Sequence, residues 1–247
     1  MLDFNSEFDF GPSEKIRGVD VHPHKGFETV TIAYKGSVEH YDSTGNRGII
    51  HPGDVQWMTA GAGILHKEFH EKEFSKKGGP FEMVQLWINL PKKDKSTPAH
   101  YQAITASQMG KAELPGNGGL VNVIAGTFNG VKGPAYTYSP VNLFDIKLNK
   151  GGELTTTVPA EQNTSLLVIN GSIEVNGEKA EEHSFVLFKN DGGEIEIKAT
   201  EQAVVLLLSG EPINEPIASY GPFVMNTQDE IYAAMKDFQS GKFGVLE

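Results

Sequence analysis

The chain has 247 residues, with 21 lysines and arginines against 32 aspartates and glutamates, for a formal net charge of -11. That balance excludes a broad cationic surface for phosphate backbones, so direct nucleic-acid and anionic-membrane binding are not expected. Cysteine is absent, which excludes disulfides, thiolate catalysis and iron–sulfur clusters and leaves histidine and carboxylate as the metal ligands to look for.

Residues 1–10 carry acidic side chains and no basic-then-apolar leader, and no later apolar run reaches the roughly 18 residues of a membrane span. A soluble, cytoplasmic, monomeric protein is the expectation. At about 100 to 200 residues per domain the length suits two domains. Glycine is frequent, at 28 residues, and the apolar stretches are short, β-branched and broken by turn residues, so the predicted class is all-β. Strands are predicted over 29–34, 37–41, 48–50 and 55–59, separated by Lys35-Gly36, 42–46 and 51–54. A further strand covers 81–90, with Trp87 as a core candidate. The lysine-rich, proline-bounded stretch 91–98, with Lys92, Lys93 and Lys95, reads as a solvated connection.

A second set of strands is predicted over 140–148, 154–158, 165–169, 172–176, 184–188, 193–197 and 203–209, beginning near Leu120. Asn176-Gly177 is the strongest hairpin signal, because a two-residue type I′ turn needs φ > 0 at both centres. Asn226 or Thr227 caps a terminal helix whose Ile231, Ala234, Met235 and Phe238 recur at helical spacing. The domains are therefore drawn at 1–95 for an N-terminal metal-binding barrel, 96–118 for a connection, and 119–247 for a C-terminal barrel that includes the helix. The run Ile32-Ala33-Tyr34-Lys35-Gly36-Ser37-Val38-Glu39 parallels Leu167-Val168-Ile169-Asn170-Gly171-Ser172-Ile173-Glu174 at constant offset, which suggests an internal duplication. The same offset carries His22 and His24 to Thr157 and Pro159, which cannot replace imidazoles.

Six of the eight histidines precede residue 71. His22-Pro23-His24 is expected to head the strand that runs on to Tyr34, and in extended chain residues i and i+2 share a face. His66-Lys67-Glu68 repeats that spacing after the turn Ala60-Gly61-Ala62-Gly63. Two such pairs on adjacent strands supply four ligands, His22, His24, His66 and Glu68, to one divalent transition ion. Imidazole and carboxylate suit Fe(II), Ni, Co, Mn, Cu or Zn, and an octahedral ion would keep two positions open. Glu28 has the parity of His24 and is a candidate for the polar surroundings of the site. His40 and His51 are expected to be solvated beside turns, His70 to be an alternative ligand, Trp57 and Met58 to fill core, and Asp42 and Asp54 to serve turns.

The run from His22 through Lys25-Gly26-Phe27-Glu28-Thr29-Val30, and the run from Pro52-Gly53-Asp54 through Gln56-Trp57-Met58-Thr59 to His66-Lys67-Glu68, closely resemble the pirins, a branch of the cupin superfamily. Gly221-Pro222-Phe223-Val224-Met225-Asn226-Thr227 resembles the pirin C-terminal region, so the likeness spans nearly the whole chain. The resemblance implies two tandem cupin (jelly-roll) barrels with a short C-terminal α-helix, and a metal, usually iron, in the N-terminal barrel alone at His22, His24, His66 and Glu68. Pirins generally carry further strands before the position of Met1, so closure of the first barrel is expected to differ here. The implied activity is a quercetin 2,3-dioxygenase-like reaction of a flavonol or a related aromatic enol with O2, with Glu68 taking the substrate proton. No other cofactor is implied. The alternative implied by the resemblance is a regulatory metalloprotein that binds a transcription factor or metabolic enzyme.

Overall fold

The computed structural model describes residues 1–246, which divide into two compact units, 1–105 with 214–246, and Ala106–Ile213. In the first unit the strands are β1 (Leu2–Phe10), β2 (Gly18–His24), β3 (Phe27–Lys35), β4 (Val38–Asp42), β5 (Arg47–Ile50), β6 (Val55–Thr59), β7 (Ile64–His70), β8 (Gly79–Asn89) and β9 (His100–Ile104), with a short helix α1 (Lys72–Lys77) before β8. They form a five-stranded sheet, β1-β8-β3-β6-β9, and a four-stranded sheet, β2-β7-β4-β5. All the pairings are antiparallel. The predicted strands lie within a residue or two of the observed ones, and residues 2–10, for which no strand was predicted, pair with β8 at the edge of the larger sheet.

The second unit contains β10 (Gly110–Leu114), β11 (Gly119–Ala125), β12 (Thr127–Phe128), β13 (Val131–Lys132), β14 (Val141–Leu148), β15 (Glu153–Val158), β16 (Asn163–Asn170), β17 (Ile173–Val175), β18 (Glu178–Ala180), β19 (Phe185–Leu187), β20 (Gly193–Ala199) and β21 (Ala203–Gly210). Its sheets run β10-β11-β14-β21-β16-β19 and β15-β20-β17-β18. The second of these has the strand order of β2-β7-β4-β5, and β14-β21-β16-β19 has that of β1-β8-β3-β6. The likeness extends to irregularities. A bulge interrupts the β3–β8 ladder between Ala33 and Lys35, another interrupts β16–β21 between Val168 and Asn170, and each is followed by a glycine at positive φ, Gly36 at 75° and Gly171 at 74°. A left-handed residue is cheap only as glycine, so the two matching eight-residue runs mark the same backbone event in both units.

The interiors differ. The second unit is filled by an apolar cluster that includes Val123, Phe144, Ile146, Leu166, Val168, Ile173, Ile195, Ile197 and Leu207. In the first unit the inward faces of β2, β4 and β7 carry His22, His24, His40, Asp42, His66, Glu68 and His70, beside apolar packing that includes a cluster of Ala33, Val38, Ile50 and Phe81.

Residues 214–246 belong with the first unit, whereas the sequence reading put the terminal helix with the second barrel. The hairpin β22 (Ala218–Tyr220) and β23 (Phe223–Met225) and the helix α2 (Gln228–Gln239) form an apolar cluster with Phe243 that takes in Leu65 from the outer face of β7. The helix starts at Thr227, whose hydroxyl caps Glu230 N–H while the Glu230 carboxylate accepts from Thr227 N–H, a reciprocal capping box.

Candidate metal centre

Pairing of β2 with β7 sets His22 directly opposite His66 and His24 opposite Ile64. The ring centroids of His22 and His66 lie 4.1 Å apart, those of His24 and His66 4.6 Å, and those of His22 and His24 4.8 Å. One nitrogen from each of the three imidazoles lies within 4.8 Å of the others. Adjacent strands thus bring together three of the four residues singled out from spacing. Glu68 enters a second group, with His66 and His40, on the same distance criterion. Its carboxylate is held from the other sheet, Oε1 accepting from Thr31 Oγ1 at 3.3 Å and Oε2 from Gln85 Nε2 at 3.0 Å.

The hydrogen bonding of the imidazoles tests whether this cluster fits an ion. His22 Nδ1 donates to Asp20 O at 2.8 Å, which fixes the tautomer and leaves the Nε2 lone pair for a ligand role. His24 Nδ1 and both ring nitrogens of His66 are buried with no hydrogen-bond partner, although these residues are only 4% and 0% exposed. Buried polar atoms are almost always satisfied, so unpartnered nitrogens on converging imidazoles fit an ion. Burial, with His22 beside it, lowers the His24 pKa to about 3, against a hydrogen bond donated to the Pro222 carbonyl that raises it. Burial and then His24, His22 and His40 hold His66 well below the usual value of 6.5. Both rings are therefore neutral near pH 7, the form that donates a lone pair to a metal.

Three expectations are corrected by the structure. His40 is not solvated but fully buried, stacked on Tyr101 with centroids 5.3 Å apart and 5.5 Å from the His66 ring, with its Nε2 3.5 Å from Asp42 Oδ2. Proximity to a turn is the basis for expecting exposure, and only the β4–β7 register, which sets His40 opposite Glu68, reveals the burial. Glu28 does not share the face of the imidazoles. The chain leaves β2 at His24, turns at Gly26 and enters the other sheet, where strand alternation points Glu28 away from Thr31, the residue that touches Glu68. Its carboxylate accepts from Thr59 Oγ1 at 2.7 Å, and burial raises its pKa to about 7 against the hydrogen bonds from Thr59 and Trp57. Lys95 is 2% exposed and not a solvated linker residue; its ammonium donates to Gly26 O, Asn89 Oδ1 and Val224 O at 2.7 to 2.9 Å.

Asp42 serves its turn, Oδ1 accepting from Thr44 N–H, Thr44 Oγ1 and Asn46 N–H. His51 is exposed beside its turn, within hydrogen-bond distance of Ser37 Oγ. Trp57 and Met58 are both fully buried, and His70 lies apart from both ligand groups.

Two jelly-roll barrels in tandem, with an imidazole and carboxylate cluster inside the first as the candidate centre among the described residues, define a bicupin. Comparison with known proteins narrows the class: residues 1–88 match the family model for Pirin and residues 143–244 the model for the Pirin C-terminal cupin domain. The chain belongs to the pirin family. It is 48% identical to a solved structure of quercetin 2,3-dioxygenase from Acinetobacter baumannii, with a TM-score of 0.95 covering 100% of this chain and 86% of that one. It is 45% identical over 243 residues to a Pseudomonas aeruginosa protein provisionally named quercetin 2,3-dioxygenase, covering 98% of this chain and 85% of the relative. Pirin of Mus musculus is 36% identical over 243 residues, covering 96% and 81%. Among the described residues no helix is long and apolar enough to cross a membrane.

Proposed function

We propose that the first barrel binds one divalent transition metal through His22, His24, His66 and Glu68 and that the protein is a dioxygenase acting on quercetin or a related aromatic enol. The observation that carries this reading is the set of unpartnered, neutral imidazole nitrogens on His24 and His66 converging with His22. The name of the Acinetobacter baumannii relative supplies the reaction class. Iron, the ion usual in the pirins, is the proposed ion, although the ligand chemistry alone admits nickel, cobalt, manganese, copper and zinc as well. Bound there, it would supply Lewis acidity toward a substrate hydroxyl and redox chemistry toward dioxygen.

The chain's own contribution is positional. Thr31 and Gln85 hold one carboxylate oxygen of Glu68 each, so the side chain presents a fixed base within the same cluster as His66. A base must lie within hydrogen-bond reach of the proton it takes. Glu68 meets that requirement for an enol hydroxyl delivered to the imidazole cluster. The test is dioxygen consumption with quercetin by iron-, nickel- and cobalt-loaded protein in an oxygen electrode, alongside His66→Ala and Glu68→Gln. Turnover is expected in at least one loaded form and is expected to fall by a factor of about 100 or more in Glu68→Gln, the range for losing a positioned base. Full turnover by His66→Ala would sink the assignment.

A further inference from the structure

A cavity of about 760 Å³ adjoins Glu68 and lies wholly within the first unit. Its two ends differ in charge. At one end the Glu68 carboxylate is joined by Gln85, whose strand partner is Asp3 at the edge of the sheet. At the other end β7 presents His70, two residues beyond Glu68 on the same face and hence roughly 7 Å further along the strand. The His70 backbone N–H donates to Arg17 O at 2.8 Å, so Arg17 sits beside it.

This second end is built rather than incidental. His70 is 8% exposed, lines the cavity, and is enclosed by Phe10, Phe74 and Phe81 with ring centroids 4.8, 5.3 and 4.5 Å away. Its Nδ1 has no hydrogen-bond partner. The Arg17 guanidinium lies 5.3 Å over the Phe10 ring and spends one N–H on Gly11 O at 3.0 Å. A guanidinium has five such donors, and no carboxylate among the described residues pairs with this one. A half-buried cation with spare donors, next to an unsatisfied imidazole in an aromatic box, matches a carboxylate carried on a flat ring.

We propose that Arg17 and His70 form an anion subsite that receives the carboxylate of a hydroxyaromatic acid whose hydroxyl faces Glu68. The cavity then selects phenolic or enolic substrates that are charged at the end remote from the imidazole cluster. The assignment deepens the proposed dioxygenase reading and rests on it for the orientation of the hydroxyl. Aromatic contact with Phe10 and Phe81 would hold the ring between the two ends, and the acidic end would repel the reversed pose.

The experiment measures calorimetric affinity of the metal-loaded protein for para-hydroxycinnamate and for its neutral amide, in wild type, Arg17→Met, Arg17→Lys and His70→Phe. Methionine keeps the apolar stem on Phe10, and phenylalanine suits the aromatic box, so thermal melting is expected to change little. Wild type is expected to prefer the acid over the amide by about tenfold to a hundredfold, the range for a hydrogen bond to a charged group. The preference should vanish in Arg17→Met, recover in part in Arg17→Lys, and shrink in His70→Phe. Equal affinity for acid and amide in wild type, or a preference that survives Arg17→Met because the carboxylate binds the ion instead, overturns the proposal. Oxygen uptake with quercetin by the same metal-loaded protein separates the two readings: an acid preference without quercetin turnover removes the proposed reaction and leaves the subsite, and turnover without acid preference does the reverse.

Discussion

At the scale of single residues, the imidazole cluster carries an electrostatic cost that metal-free protein must show. Burial depresses the pKa of His24 and of His66, so protonation favours the unfolded chain. Their contribution is fully present above the unfolded value of about 6.5 and is lost as pH falls toward the folded value, about 3 for His24. Glu28 works the other way. Its folded pKa of about 7 exceeds the usual 4.5, so its contribution is complete below 4.5 and is lost as pH rises through 7. Between pH 6.5 and 4.5 His24 and His66, joined by His70 whose pKa burial and Arg17 also lower, oppose one carboxyl, and the net slope should be one proton or more, at least about 1.4 kcal/mol per pH unit. Urea midpoints of chelator-treated protein across this range measure it. Glu28→Gln removes the opposing group and should steepen the acid loss to two protons or more; an unchanged slope would show that burial does not perturb Glu28.

His40 illustrates why some of the site was not legible in the sequence. H-x-H and H-x-E announce themselves because a spacing of two suffices to put both groups on one face. His40 stands alone in its segment, and its burial beside His66 depends on the pairing of β4 with β7, a contact between segments about 26 residues apart in sequence. The Glu28 expectation failed for the complementary reason, since parity is kept only while the strand continues, and Gly26 ends it. A residue whose side chain stacks on Tyr101 and contacts the Asp42 carboxylate orients the cluster through packing. His40→Gln is therefore expected to weaken metal affinity by about tenfold to a hundredfold, the usual effect of outer-shell partners, as read by competition with a chromophoric chelator.

At the scale of elements, the turn between β2 and β3 follows directly on the His22 and His24 pair, and three separate segments fix it. Gly26 sits at φ 86°, and a Cβ there would lie 2.1 Å from Val224 O. Lys25 exchanges backbone hydrogen bonds with the β23 hairpin, accepting from Val224 N–H and donating to Pro222 O, while its ammonium pairs with Asp237 of α2 at 2.9 Å. Lys95 closes the arrangement by donating at once to Gly26 O, to Val224 O and to Asn89 of β8. Burial lowers its pKa to about 8, offset in part by Glu215 and Glu230. Two opposed effects follow from Lys95→Met, relief of a buried charge and the loss of partners for three acceptors. An unsatisfied buried acceptor costs about 1 to 3 kcal/mol, and three of them outweigh the relief. The variant should lose about 2 kcal/mol in chemical denaturation and bind metal more weakly, because His24 is two residues from the released glycine. A variant as stable as wild type would mean that water replaces the ammonium. The lysine-rich composition of 91–98 hid this role: Lys92 and Lys93 are exposed as a charge run predicts, and one member of the same run points inward.

At the scale of the molecule, two barrels of matching strand order have been put to different uses. The duplication was legible as far as the β3–β4 and β16–β17 hairpins, where bulge and glycine coincide, and it misleads at the ligand strand. The constant offset sets Thr157 against His22, yet Thr157 is exposed on β15 opposite the exposed Glu194, whereas His22 faces His66 inside the barrel. The β2–β7 ladder is bulged between Val19 and His22, and a one-residue irregularity reverses which side chains point inward. The inward positions of β20 are Ile195 and Ile197, packed in the continuous apolar core of the second unit. A cation there would have to replace close-packed hydrocarbon without any polar ligand to compensate, at a cost no single substitution could offset. Elemental analysis of the full chain should therefore find about one equivalent of metal, and His24→Ala combined with His66→Ala should leave none. Thr157→His should leave the loading at one, because the new imidazole would face solvent. A second equivalent in that variant, or residual tight binding after loss of His24 and His66, would place a centre in the second barrel and contradict the division of labour between the two interiors.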